Sequence, residues 1–260
     1  MRVTVDREEF IKTCSRYITR GQRRTKTPIK NQITKSMVEA KDSRLHFYGC
    51  DNSLVIYGYF SLDAVIESEG SFMIAETDSL VKNIKKFRGK KLTIESDENT
   101  ITYRSGQTSM TDPIQAIIPR EELKYWIDVY YREHSNVHMT VNSQRADFTK
   151  WFTIKGSLLK DIESICLGTV ANDVLHLKTS NDNLTLICEN NNTRRRYETS
   201  FPVKDSVDAE FSIEYIYPIL SALNGNSTFY FYVTKSGRLR VIIEDGNNWW
   251  YCRYDKSTTS

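Results

Sequence analysis

A chain of 260 residues, 39% of them hydrophobic and 27% charged, can fill one large β-rich domain or two smaller ones, and this composition excludes disorder over most of its length. The formal net charge of +3 identifies no partner by itself, so any electrostatic signal has to lie in how the charge is distributed. No uninterrupted apolar run approaches the ~20 residues of a membrane span, and Met1-Arg2-Val3-Thr4-Val5-Asp6 is not a basic-then-apolar leader, so a soluble intracellular protein without a membrane partner is expected.

Residues 7 to 20 carry the first helical pattern, because Phe10, Ile11, Cys14, Tyr17 and Ile18 recur on one helix face and Asp6 can cap the first turn. The opposite side holds Arg7, Lys12, Arg16 and Arg20, and the chain then runs into Arg23, Arg24, Lys26 and Lys30. From about 32 to 75 the period drops to two in runs such as Leu45-His46-Phe47-Tyr48 and Leu54-Val55-Ile56-Tyr57, which predicts antiparallel strands broken at Cys50-Asp51-Asn52-Ser53. A second helix is predicted over 77 to 88, capped by Thr77 or Asp78, with Leu80, Val81, Ile84 and Phe87 inward. Strands at 91–96 and 100–105 follow, turning through Asp97-Glu98-Asn99.

The later half repeats this order. Ser71-Phe72-Met73-Ile74 matches Glu210-Phe211-Ser212-Ile213 at an offset of 139 residues, and Leu45 and Phe47 fall opposite Leu184 and Leu186 at the same offset. Val3-Thr4-Val5 corresponds to Phe152-Thr153-Ile154, after which Leu158, Leu159, Ile162, Ile165 and Cys166 make a third helical face. A fourth is predicted at about 214 to 224. The fold expected is α+β, with domains at 1–112 and 147–260 and a connector at 113–146 that holds Pro113 and Pro119. Loose patterns recur in any two α+β halves; the shared order and common offset favour a true repeat.

The two helices of the first half leave faces rich in Lys and Arg. Any one such residue reads as an ordinary solvated charge. As a group, Arg16, Arg20, Arg23, Arg24, Lys26 and Lys30 occupy fifteen residues without an acidic side chain, and Lys82, Lys85, Lys86 and Arg88 follow in a second stretch free of carboxylates. Flexible cations at several heights suit duplex DNA, whose phosphates they neutralise without reading bases. The third helix adds Lys155 and Lys160, offset by Asp161 and Glu163; the fourth adds no cation.

At this point the sequence resembles the sliding-clamp superfamily of bacterial polymerase β clamps and proliferating cell nuclear antigen. Residues Met1 to Phe10 resemble the opening strand and helix of bacterial clamps. Arg24-Thr25-Lys26-Thr27-Pro28-Ile29-Lys30-Asn31 is similar to their Pro-Ile loop, Cys50-Asp51-Asn52-Ser53-Leu54 to their Asp-centred hairpin, and Leu80-Val81-Lys82-Asn83-Ile84-Lys85-Lys86 to their second, basic helix. Phe211 to Leu223, with the strand patterns that end at Tyr251, resembles the last clamp domain. The resemblance implies two tandem clamp-type domains, each with antiparallel sheets backing a helix pair, and a homotrimeric ring of six domains around duplex DNA. It also implies DNA polymerase and a clamp loader as partners, in a viral, phage or archaeal replication setting. DNA contact would fall on Lys12, Arg16, Arg20, Arg23, Arg24, Lys26, Lys82, Lys85, Lys86, Arg88, Lys155 and Lys160. A groove for partner peptides would use Cys50, Leu54, Ile117, Ile118, Tyr251 and Tyr254.

Two other readings stay open: a non-ring processivity subunit, and a clamp-fold adaptor or transcription factor. Catalysis has little support, and no cofactor or metal is expected. His134 and His138 lack a third ligand at a convincing spacing, Gly89-Lys90-Lys91 lacks the rest of a phosphate loop, and Gly-x-Ser-x-Gly is absent. The five cysteines, Cys14, Cys50, Cys166, Cys188 and Cys252, are scattered without a Cys-x-x-Cys pair and read as small hydrophobes. Arg194-Arg195-Arg196 lies in a strand pattern that sends alternate side chains to opposite faces, which suits solvated charges or cross-strand ion pairs better than a DNA patch.

Overall fold

The structure is a computed structural model that describes residues 1–16, 35–50, 56–114, 138–141, 144–147, 150–155, 174–181, 183–190, 195–202, 208–212, 228–233, 239–243 and 249–252. The first half runs β1 (Arg2–Asp6), α1 (Arg7–Ser15), β2 (Lys35–Lys41), β3 (Arg44–Cys50), β4 (Ile56–Ser68), β5 (Gly70–Ile74), α2 (Thr77–Ile84), β6 (Lys91–Ser96), β7 (Thr100–Ser105) and β8 (Thr108–Pro113). A hairpin of β9 (His138–Val141) and β10 (Gln144–Asp147) precedes β11 (Lys150–Lys155), β12 (Val174–Ser180), β13 (Asn183–Asn190), β14 (Arg195–Pro202), β15 (Asp208–Ser212), β16 (Thr228–Val233), β17 (Leu239–Ile243) and β18 (Trp249–Cys252).

Local chemistry explains most of these boundaries. In β1 the alternation buries Val3 and Val5, which stand opposite Ile94 and Leu92 of β6, both also buried. β2 and β3 join through Asp42 and Ser43 with φ of 51° and 59°, the left-handed pair that a tight two-residue hairpin requires. Asp97 builds the β6–β7 turn: its Oδ1 accepts from the backbone N–H of Asn99 and Thr100, each at 2.7 Å, and these bonds hold its carboxyl below the usual range.

The 13-residue β4 pairs with β3 through Tyr57 to Asp63 and with β1 through Ala64 to Ser68. It thereby links the leaf of β5, β2 and β3 to the leaf of β1, β6, β7 and β8. Between these elements sits a fully buried aromatic core, with Phe10 edge-on to Phe47 at 5.7 Å and Tyr103 at 6.4 Å from both Phe10 and Phe72. Each such side chain taken from water contributes about 1.5–3 kcal/mol.

The second half repeats the pairing of the first. The ladder β1–β6–β7–β8 has its counterpart in β11–β16–β17–β18, and β5–β2–β3–β4 has its counterpart in β15–β12–β13–β14. β18 then pairs with β4, with Trp249 to Cys252 opposite Tyr59 to Ile56, so the halves share a backbone ladder. The α+β architecture of two tandem, mainly antiparallel domains is therefore as expected. Helices α1 and α2 fall in the predicted places. The predicted helices at about 158–166 and 214–224 lie outside the described residues, as does 115–137 of the expected connector. No helix among the described residues is long and apolar enough to cross a membrane.

Candidate nucleic-acid interface

Helix α1 starts where Asp6 accepts hydrogen bonds from the N–H groups of Glu8 and Glu9, at 2.9 and 3.0 Å, as its predicted cap role requires. It ends at Ser15, where the Arg16 N–H closes onto the Thr13 carbonyl in a tighter turn, and residues 17–20 of the predicted helix lie outside the described residues. Helix α2 likewise stops at Ile84, short of the predicted 88, with Lys86 and Phe87 bonded back to Asn83 and Ile84. Its N-cap is Glu76, without a side-chain cap bond, in place of Thr77 or Asp78; Thr77 is buried instead.

The two helices pack side by side, with Phe10, Thr13 and Cys14 of α1 and Thr77, Leu80, Val81 and Ile84 of α2 buried. Burial holds the Cys14 thiol protonated. Arg7, expected on the open face, has a side chain only 15% exposed: Nη1 donates to the Ile84 carbonyl at 3.5 Å and ties α1 to the end of α2.

This arrangement concentrates positive charge on α2 and the segment that follows. Lys82, Lys85, Lys86, Arg88, Lys90 and Lys91 are all exposed. Lys82 pairs with Asp78 one turn earlier, and Lys86 Nζ donates to Asn83 Oδ1 at 3.2 Å; among the described residues Lys85 and Arg88 pair with no carboxylate. Exposed pairs of this kind are worth about 0.2–1 kcal/mol, so a phosphate can displace them.

The described part of α1 differs from the expected basic face. Glu8 and Glu9 sit in its first turn, where the helix dipole favours carboxylates, and Lys12 bonds Glu9 at 3.3 Å. The Arg16 guanidinium is half-buried, 5.1 Å from the centre of the Phe60 ring. Lys155 closes strand β11, opposite Thr228, and does not belong to a third helix. Arg20, Arg23, Arg24, Lys26 and Lys160 lie outside the described residues.

Of the expected groove residues, the backbones of Cys50 and Tyr251 share one row of the sheet, since both stand opposite Tyr57 on the two sides of β4. Leu54, Ile117, Ile118 and Tyr254 lie outside the described residues. Two features carried no sequence signal. On the outer side of β3 and β4, His46 stacks with Tyr48 and Tyr59, and its Nδ1 meets the Tyr59 hydroxyl at 2.8 Å. Beside α2 a cleft of about 160 Å³ is lined by Glu76, Leu80, Asn83, Tyr103 and Asp112, and burial pushes the Asp112 carboxyl up. Among the described residues, no three His, Cys, Asp or Glu side chains form a cluster able to hold a metal.

No family model matches the sequence, and no curated protein matches it either. Solved structures do match. The sliding clamp (DNA polymerase III subunit beta) of Bartonella birtlesii, bound to griselimycin, aligns with a TM-score of 0.68 at 16% identity over 100% of this chain and 66% of that one. DNA polymerase III subunit beta of Borrelia burgdorferi gives 0.67 at 17% identity over 97% and 64%, and the Bacillus subtilis DNA polymerase sliding clamp 0.62 at 15% over 100% and 67%. The chain has the fold of these sliding clamps and spans about two thirds of their length.

Proposed function

We propose that the chain is a non-catalytic DNA sliding clamp subunit, a processivity factor that encloses duplex DNA without reading its sequence and tethers DNA polymerase, with a clamp loader to place it. The observation that carries this reading is the duplicated clamp-type pairing joined through β18 and β4, together with the basic stretch from Lys82 to Lys91 beside the α1–α2 pair. Two repeats per chain make three copies a ring of six. Head-to-tail contacts of this kind close only when the rotation per subunit fits. Along the enclosed duplex, α2 would meet phosphates as a mobile set of point charges, which holds the ring on DNA yet lets it slide. Partner peptides would dock near the Cys50–Tyr57–Tyr251 row.

The test is charge reversal of Lys82, Lys85 and Lys86 to Glu. Polymerase stimulation on primed circular DNA should fall, and the slope of log affinity against log salt should flatten by about 0.9 for each phosphate that is no longer neutralised. Wild-type stimulation by the triple variant would sink the reading. The acidic first turn of α1 favours a second reading, in which one basic patch grips DNA without ring closure; tight binding to short linear duplex in the absence of a loader would select it.

A further inference from the structure

The cleft beside α2 is lined by the end of β5, by α2, and by β7 and β8, and it holds about 160 Å³. Its walls are apolar, supplied by the buried Ile74, Leu80 and Ile101. Its polar groups lack partners. Tyr103, only 1% exposed, lines the cleft, and its hydroxyl makes no hydrogen bond to any described residue. Asp112 stands opposite Ile101 across the β7–β8 ladder and so belongs to the same inner face. Glu76 adds a second carboxylate from the start of α2, where it makes no side-chain cap bond. Among the described residues neither carboxylate has a cation within ion-pair distance; Lys86 Nζ, beside the cleft, donates to Asn83 Oδ1 instead. We propose that this cleft is a binding site for a guanidinium group on an aliphatic stem, with Asp112 and the Tyr103 hydroxyl as its acceptors and Glu76 at the mouth.

The chemistry of the lining selects this ligand class. Two carboxylates without a cation call for a positive charge, and burial pushes the Asp112 carboxyl up with nothing to offset it. Burial first, and then neighbours that include Asp112, hold the Tyr103 phenol protonated, so its oxygen can accept a hydrogen bond but carries no charge. An ammonium is compact and strongly hydrated, which apolar walls disfavour. A guanidinium is more weakly hydrated and presents five donors in a plane, enough to bond a carboxylate through two of them and a phenol through a third. Size agrees as well: an apolar cavity of about 150 Å³ admits a benzene ring, so there is room for a guanidinium and part of its stem.

The site does not rest on the clamp reading, and polymerase stimulation measured on the same preparations is decided separately. Calorimetric titration of the full chain with butylguanidine should show one site, with butylamine several-fold weaker and 1-butanol without measurable binding. Asp112→Asn should weaken butylguanidine by about tenfold and Tyr103→Phe by about threefold. Neither variant should lower the unfolding midpoint, because the groups they change have no partner in the fold; the two are read separately, so that either can decide alone. A Gly-Arg-Gly peptide blocked at both ends separates the two sources of the ligand. Tighter binding than butylguanidine assigns the cleft to an arginine of a partner protein, and weaker binding assigns it to a free guanidinium compound. Equal binding of the three small probes, or butylguanidine binding that both variants leave unchanged, overturns the proposal. Asp112 would then be only an inward charge that guards a sheet edge.

Discussion

His46 is a half-buried imidazole among tyrosines, and burial lowers its pKa despite the Lys41 carbonyl, which accepts from Nε2 at 3.2 Å. The folded chain therefore resists the proton that the unfolded chain takes up near the ordinary histidine value of 6.5. His46 contributes stability that is complete above that value and lost as pH falls through the lowered folded one. Urea midpoints measured at about pH 7.5 and about pH 5 should drop in the wild type by more than in His46→Gln; equal drops would place the acid sensitivity elsewhere. Residue-scale geometry also explains Gly89, which the sequence marks only as an incomplete phosphate-loop fragment. A Cβ there would stand 2.3 Å from Ser105 Oγ, whose hydroxyl donates to the Lys91 carbonyl at 2.6 Å, so the glycine permits a close approach between the end of α2 and β7.

At the scale of elements, signals that act within a few residues were legible and those that depend on a distant partner were not. Asp6 and the Asp97 turn are local, and both sit where the sequence placed them. Asp6→Ala removes the acceptor for two amide donors at an exposed helix end. It should cost about 0.5–2 kcal/mol in chemical denaturation, largely recovered by Asp6→Ser. Strand β8 has no such signal: Thr108 to Pro113 is mostly exposed and lacks apolar alternation, because a strand at a sheet edge, paired among the described residues with β7 alone, needs none. Arg7 also misleads, since its helical position reads as open until α2 covers it through the Ile84 carbonyl.

At the scale of the whole molecule, the joint between the halves and the proposed contact with DNA should respond differently to salt. The β18–β4 ladder brings Trp-Trp-Tyr-Cys against Ile-Tyr-Gly-Tyr, whereas the proposed contact of α2 with DNA depends on exposed charge. Raising salt from about 50 to 500 mM should release DNA while leaving the unfolding midpoint of the chain nearly unchanged; a midpoint that falls in parallel would show that the joint between the halves is also electrostatic. The sequence by itself determined the repeat, the α+β class, the cap of α1 and the basic run from Lys82 to Lys91, because hydrophobic period, turn chemistry and charge order are written along the chain. Only the tertiary structure decided that Arg7 lies between the helices, that Glu8 and Glu9 occupy the outer side of α1, and which strand edges are unpaired among the described residues. Those outcomes depend on which surfaces meet, and pairing between strands distant in sequence leaves no mark on either one alone.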